Sequence, residues 1–315
     1  MSEAIHKDQS TDKGNVREKL EFAFVWVFVH LLGVLPRGVA RGLGAGIGWI
    51  AFRLLGRLRR VGLRNLELAF PQMGEAERER TLRAVYRNLG YLLAEFCLMP
   101  GYTAESASRF IRYEGLENYL RARDKGKGVL VLTGHLGAWE LSSFYHSLMN
   151  YPMGLVIRRL DNPFVDRFVN RIRCLHGNRV IHKDDFARGL IASMRAGETV
   201  GILMDTNMTP PQGLFVPFFG EMACTASGLA RVALKTGAAV VPGFLLWEEQ
   251  EQRYVLHFGE ELTLVCTGDV EADTAANTAL CTAVIEQYIR KYPDQWLWMH
   301  RRWKTRPPGE DRIYS

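Results

Sequence analysis

Hydrophobic positions change their spacing along this chain, and each change marks a boundary. Residues 1–15 are polar and charged, which predicts a flexible tail over residues 1–19. Fourteen nearly apolar residues then run from Phe22 to Leu35. They fall short of the ~20 that a comfortable membrane span needs. They also start late, with no clean small-residue cleavage site, so they do not read as a signal peptide. A glycine-rich segment follows, from Gly38 to Gly56. Its pairs Gly42/Gly46 and Gly44/Gly48 have the G-x-x-x-G spacing that lets helices pack closely in or near lipid. A dinucleotide-binding loop is excluded, because no strand precedes these glycines and G-x-G-x-x-G is absent. Residues 20–62 therefore predict a membrane-docking helical appendage, either a short single span or interfacial helices.

From residue 63 onwards the pattern alternates between helical and strand periods. Residues 75–98 predict one amphipathic helix, which ends before Pro100. Short apolar runs predict strands at 128–133, 153–157, 199–204, 239–246 and 253–258. Between and after them, helices are predicted at 138–150, 163–176, 184–196, 225–237 and 271–291. Strands alternating with helices of this length give an α/β fold with a mostly parallel central sheet flanked by helices.

Composition narrows the class. With 315 residues, 47% of them hydrophobic, the chain can bury a full core. Forty Lys and Arg against 34 Asp and Glu leave +6, a balance that suits an anionic partner. Cys97, Cys174, Cys224, Cys266 and Cys281 are dispersed without a C-x-x-C pair, which argues for reduced thiols. Arg53, Arg57, Arg60 and Arg64 recur at i, i+4, i+7 and i+11, so one helical face carries four guanidinium groups, a headgroup-binding pattern beside an apolar anchor. A solvated helix face is the alternative. The carboxyl block from Trp296 to Pro308 mixes tryptophans with Arg301, Arg302 and Lys304, which suits a bilayer interface or nucleic-acid stacking. The aromatic run Phe215 to Gly220 reads as ordinary core or the wall of an apolar cavity.

The chemistry concentrates at Gly134-His135-Leu136-Gly137-Ala138-Trp139-Glu140, directly after the strand predicted at 128–133. A strand-to-helix junction of an α/β sheet is where ligands bind. On a continuous helix, residues 135 and 140 would point roughly 140° apart. They can meet only if His135 lies in the turn and Glu140 in the first helical turn, where the macrodipole favours the ionised carboxylate. His135 is then a candidate general base with a carboxylate partner. Arg158 and Asp205 follow two further predicted strands and point to the same crevice. Their structural alternatives are a salt bridge for Arg158 and an Asx turn for Asp205. A metal-dependent hydrolase finds no support, since no H-E-x-x-H or H-x-H-x-D cluster is present. No G-x-S-x-G elbow and no cysteine in the His135 block argue against a covalent acyl-enzyme.

Five blocks in order resemble the lipid A biosynthesis acyltransferases, the secondary lauroyl/myristoyl transferases within the glycerophosphate/lysophospholipid acyltransferase group. They are G-H-L-G-A-W-E at 134–140, V-I-R-R-L-D-N-P at 156–163, G-I-L-M-D-T-N-M at 201–208, V-P-F-F-G at 216–220 and W-L-W-M-H-R-R-W-K-T-R-P at 296–307. The resemblance implies an acyltransferase-like fold, with residues 63–315 as the catalytic domain. It also implies transfer of a fatty acyl chain from acyl carrier protein to a hydroxyl of an anionic glycolipid, with no cofactor and no nucleic acid. The site would be the cytoplasmic face of a bacterial inner membrane, among membrane lipids. The family's H-x4-D/E motif falls on His135 and Glu140, its arginine on Arg158 and its later acidic residue on Asp205. Either carboxylate could orient the imidazole. Arg158 or backbone N–H groups of the 134–138 turn would bind the oxyanion. Arg53, Arg57, Arg60, Arg64, Arg301, Arg302 and Lys304 would hold the headgroup. The chain departs from the family at Asp205-Thr206, where Asp-Gln is common, and at Arg158-Arg159, where Arg-Pro is common. Another acceptor, such as a phosphatidylinositol mannoside or an ornithine lipid, fits the same core motif.

Overall fold

The computed structural model describes residues 15–182 and 186–314. Residues 1–14 of the expected tail, and positions 184 and 185 of one expected helix, lie outside the described residues. The first helix, α1 (Val16–Gly33), begins earlier than expected because Asn15 and Glu18 form a reciprocal capping box.

Seven strands make one sheet in the order β1-β9-β8-β2-β5-β3-β4. They are β1 (Ile111–Glu114), β2 (Val129–Thr133), β3 (Gly154–Ile157), β4 (Arg179–His182), β5 (Thr199–Leu203), β8 (Ala239–Glu248) and β9 (Arg253–Phe258). Every pairing is parallel except β8–β9. The chain is thus α/β with a mostly parallel sheet, as the apolar runs predict. On β2, Leu130 and Leu132 enter one core while Val129 and Val131 enter another. Successive side chains of a strand point to opposite faces, so a run buried on both sides must be apolar throughout.

Helices cover both faces. On one side lie α9 (Phe186–Arg195), α10 (Gly228–Thr236) and α11 (Val270–Lys291), through Leu190, Leu229 and Ile285. On the other lie α6 (Leu116–Asp124), α7 (Trp139–Leu148) and α8 (Pro163–Arg173), through Tyr119, Leu141 and Ile172. The run Phe215 to Gly220 belongs to a separate hairpin, β6 (Gly213–Phe218) and β7 (Glu221–Ala226). Its two-residue loop, Phe219-Gly220, has positive φ at both positions (55° and 81°), as a tight hairpin turn requires. Phe218 and Phe219 pack on Trp296, Trp298 and Trp303 as ordinary core.

Among the described residues, no helix is long and apolar enough to cross a membrane. Helix α2 (Arg37–Leu54) lies against α4 (Glu75–Leu98). The two backbones approach so closely that a Cβ on Gly44 would sit 2.2 Å from the Gly90 carbonyl oxygen, and one on Gly48 would sit 2.2 Å from that of Tyr86. Gly42 and Gly46 face open space. Of the two G-x-x-x-G pairs, one therefore packs helices within the protein. Buried Glu95 of α4 reinforces the contact, accepting from Arg37 (2.7 Å), Arg41 (2.7 Å) and the Tyr102 hydroxyl (2.6 Å). The boundary expected at 62/63 falls inside α3 (Gly56–Ala69).

The single face of four arginines is also corrected. Leu55, with φ −90° and ψ 59°, interrupts the helix. Arg53 therefore ends α2, while Arg57, Arg60 and Arg64 lie on α3. All four side chains remain exposed.

Candidate active site

Parallel pairing of β2 with β5 sets Thr133 beside Leu203, so the segments leaving both strands emerge side by side. His135 and Asp205 meet there, at the carboxyl ends of adjacent strands. The Asp205 carboxylate accepts three hydrogen bonds. The His135 backbone N–H donates to Oδ2 at 2.7 Å, the Trp296 indole N–H donates to Oδ2 at 2.7 Å, and His135 Nδ1 lies 2.9 Å from Oδ1. A carboxylate has no proton to give, so Nδ1 carries the hydrogen and Nε2 keeps its lone pair. The imidazole is partly open, at 26% exposure, over an aspartate that is 2% exposed.

Electrostatics follow from this contact. Burial alone would lower the pKa of His135, but the Asp205 charge, the Asp205 hydrogen bond and the charge of Glu140 hold it above the ordinary imidazole value. Burial would raise that of Asp205, yet the His135 charge, with the hydrogen bonds from His135 and Trp296, brings it down to about 2. Asp205 thus stays ionised beside a histidine of increased basicity.

Several backbone groups of the turn that carries His135 are fixed. Leu297 N–H donates to the His135 carbonyl (3.0 Å), Gly137 N–H to that of Gln295 (2.9 Å), and Ala138 N–H to that of Leu245 (2.8 Å). Gly137 has φ 65°, and a Cβ there would lie 2.1 Å from the Leu245 oxygen, so only glycine fits. The N–H groups of His135, Gly137 and Ala138 are therefore committed and do not serve as oxyanion donors.

Glu140 lies in the first turn of α7, as expected, but its carboxylate engages Arg173 of α8. Nε and Nη2 of Arg173 approach its two oxygens at 2.9 and 2.5 Å. Its influence on His135 is through charge at a distance. The structure therefore places Asp205, and not Glu140, against the imidazole. Glu140 and Arg173 line a small cavity of about 60 Å³ with Thr133, Trp139 and Gly201, beside the His135 turn. An apolar groove of about 430 Å³ is lined by Ile47, Leu58, Leu89, Leu297, Met299 and His300. His300 Nε2 accepts from the Asn207 N–H at 2.9 Å, two residues past Asp205.

Other expected residues lie apart from this centre. Arg158 is 82% exposed and, among the described residues, pairs with exposed Asp161 at 3.3 Å. It follows β3, two strands away from β2, or about 10 Å at the usual interstrand spacing. Arg302 is fully buried and donates to the carbonyl of Cys224 at 2.9 Å and to the Thr225 hydroxyl, so it holds the core and does not reach a headgroup. The tryptophans beside it are buried too, at 1% exposure for Trp296 and 0% for Trp298 and Trp303, which rules them out as a bilayer belt in this fold. Arg301 is half-buried near the Tyr314 ring, and Lys304 is exposed.

Two contributors escape sequence reasoning. Trp296 sits in a block that the sequence marks as unusual, but its hydrogen bond spans 91 residues. Arg173 carries no local signal, since its partner is 33 residues away on another helix.

Comparison with known proteins places the chain in a family. A sequence model of the bacterial lipid A biosynthesis acyltransferases matches residues 12–305. The lipid A biosynthesis palmitoleoyltransferase of Escherichia coli K12 is 30% identical over 291 residues, covering 92% of each chain. The lauroyltransferase of the same organism is 29% identical over 296 residues, covering 94% of each. A lipid A biosynthesis acyltransferase of Haemophilus influenzae is 30% identical over 278 residues, which is 87% of this chain and 86% of that one. With a match over nearly the whole length, this chain belongs to the bacterial lipid A biosynthesis acyltransferase family and is an acyltransferase.

Proposed function

We propose that this enzyme moves a fatty acyl chain from acyl carrier protein to a hydroxyl of a lipid A precursor, with His135 as general base. The observation that carries the proposal is the His135–Asp205 pair, which leaves Nε2 as a free base at the open side of the turn. An acceptor hydroxyl must lose its proton as it attacks the thioester carbonyl, and Nε2 takes it. The resulting imidazolium is stabilised by the Asp205 carboxylate. As the C–S bond breaks, the imidazolium returns its proton to the departing thiolate, so charge and protons balance without an acyl-enzyme. Asp205 is the orienting carboxylate, while Glu140 and Arg173 brace each other beside the base and shape the cavity at the reacting end of the acyl chain.

The acceptor is an amphiphile, and the surface of the first three helices suits one. Phe24, Leu31, Val34, Leu43, Trp49 and Leu54 are 52–80% exposed, an apolar display with exposed Arg53, Arg57, Arg60 and Arg64 beside it. Such a face lies in the headgroup region of a bilayer, with cations towards anionic lipid. We assign residues 20–62 to docking on the cytoplasmic face of the inner membrane and residues 63–315 to catalysis. Within the headgroup set, Arg302 drops out because it is core. Incubating the purified protein with acyl-carrier-protein and coenzyme A thioesters in parallel, and weighing the lipid A precursor afterwards, tests donor and acceptor together. A product heavier by one acyl chain from the carrier-protein donor supports the proposal. Transfer only from coenzyme A, or only to another glycolipid, overturns it.

A further inference from the structure

A transfer between lipids brings two hydrocarbon chains to one base, and the hollows beside His135 belong to two different cores. The small cavity of Glu140 and Arg173 is also lined by Val131, Met153 and Leu155, which pack in the core on one face of the sheet. The apolar groove of about 430 Å³ is lined by Tyr86 and Met299, which pack in the core on the other face. Its volume is that of a ligand site, ordinarily about 300–1,000 Å³.

The groove lies where α2, α3 and α4 meet the carboxyl block. Gly48 and Gly90 form part of its wall, and at each the opposing backbone stands where a Cβ would go, so no side chain fills the space. No lysine, arginine or acidic residue lines it, and a surface of this kind takes hydrocarbon from water favourably. Part of the lining belongs to the catalytic centre. Leu297 borders the groove while its backbone N–H donates to the His135 carbonyl at 3.0 Å. His300 borders it while its Nε2 accepts from Asn207. Burial lowers the pKa of His300, and the charges of Asp205 and His135 both reach it. Asn65 of α3 donates to the carbonyls of Trp298 and His300 at 2.7 and 2.8 Å, which holds this wall against the helix. Another part of the lining belongs to the outer surface. Ile47, Leu55 and Leu58 are 36%, 46% and 41% exposed, and exposed Trp49, Ile50 and Leu54 adjoin them in the chain.

A hydrocarbon groove that shares residues with both the His135 turn and the exposed apolar helices joins the base to the surface assigned above to the bilayer. We propose that this groove holds a hydrocarbon chain of the acceptor lipid, while the chain being transferred lies in the opposite core beside Glu140. The acceptor resides in the bilayer and the groove opens on the helices that face it, whereas the donor arrives on a soluble carrier. The cavity beside Glu140 is lined by no residue of the first three helices. Chains held on opposite faces of the sheet reach the strand ends without competing for space, as direct transfer between two bound lipids requires. The inference rests on the reading of His135 as the base for a membrane-lipid acceptor, and deepens it by separating the acceptor's chain from the donor's.

The full chain in dodecyl maltoside would be photolysed with a lipid A precursor carrying a diazirine at the end of its acyl chains, and separately with an acyl-carrier-protein thioester carrying the same group. Peptide mass spectrometry locates the labels. The precursor probe should label α2 and α4 around Ala51 and Leu93, and excess unlabelled precursor should suppress that labelling. The thioester probe should label β3 around Met153 and Leu155. Thioester label in the groove, or precursor label there that excess precursor does not suppress, overturns the proposal. Kinetics supply a second readout through Ala51→Phe, which fills the groove, and through Leu58→Trp at a partly exposed position that takes a larger ring without crowding the core. Either variant should raise KM for the precursor about tenfold, with KM for the thioester unchanged, since a chain held equally in ground and transition states contributes to KM alone. An unchanged precursor KM in folded Leu58→Trp protein, or a rise in thioester KM instead, overturns it. Suppressible precursor labelling of the groove without any acyl transfer would leave the groove standing while the catalytic reading falls. Acyl transfer without groove labelling would do the reverse.

Discussion

Replacing Asp205 by Asn removes the charge that sets the basicity of His135 while keeping the side chain's shape. The carboxylate oxygen lies 2.9 Å from Nδ1, which puts the two charge centres about 4 Å apart. At an effective dielectric near 20 such a pair is worth about 4 kcal/mol. Burial opposes it, so the wild-type value is raised only by the remainder. In the Asn variant the burial contribution stays and the attraction is lost, which puts His135 below the ordinary imidazole value. A general base works when deprotonated, so the acid limb of kcat/KM should move to lower pH. The plateau should fall about 10²–10⁴-fold, since the imidazolium formed in the transition state loses its counter-charge and the Nδ1–H tautomer loses its anchor. The assay is kcat/KM from pH 5 to 9, with near-ultraviolet circular dichroism to confirm the fold. An acid limb at the same pH in both proteins would refute the reasoning, whatever the change in plateau.

Other outcomes follow from the same contacts. Trp296→Phe removes one of the three hydrogen bonds to Asp205, worth about 1.5–3 kcal/mol for a charged acceptor. It should lower kcat about 10- to 100-fold with KM nearly unchanged in steady-state kinetics. Arg302→Ala strips the Cys224 carbonyl and Thr225 hydroxyl of a buried donor and should abolish folded yield, whereas Lys304→Ala should purify and melt like wild type; size exclusion and thermal unfolding separate the two. Gly44→Val drives a Cβ to 2.2 Å from the Gly90 carbonyl oxygen, a backbone atom that cannot step aside. A loss of about 1–3 kcal/mol or more in denaturant unfolding is expected.

How much the sequence reveals depends on the range of the interaction. The strands at 128–133, 199–204 and 253–258 are legible because both faces of a parallel sheet demand apolar residues, and that demand is written locally. So is α4, where the 3.6-residue period runs unbroken from Glu75 to Leu98. Strands β1 and β4 went unread, each only four residues long at the two edges of the sheet and only partly buried. His135 and Asp205 could be nominated from their places after apolar runs, but their contact depends on β2 and β5 being neighbours. Glu140 shows the limit in reverse. Its spacing from His135 suggests a pair, yet Arg173, a guanidinium with two donors in the right plane, outcompetes a distant imidazole for the carboxylate. The carboxyl block misleads for a related reason: tryptophan with arginine suits a bilayer surface, and only tertiary packing shows that here they fill the interior.

The central claim is that the Nε2 of His135 takes the acceptor's proton during direct acyl transfer. It is tested most directly by single-turnover mass spectrometry of lipid A precursor, mixed with acyl-carrier-protein thioester and either wild-type or His135→Ala protein in detergent. With the base removed and the fold intact by circular dichroism, the account expects the acylated product to form at least about 10²-fold more slowly. Product formation at the wild-type rate by folded His135→Ala protein would contradict it.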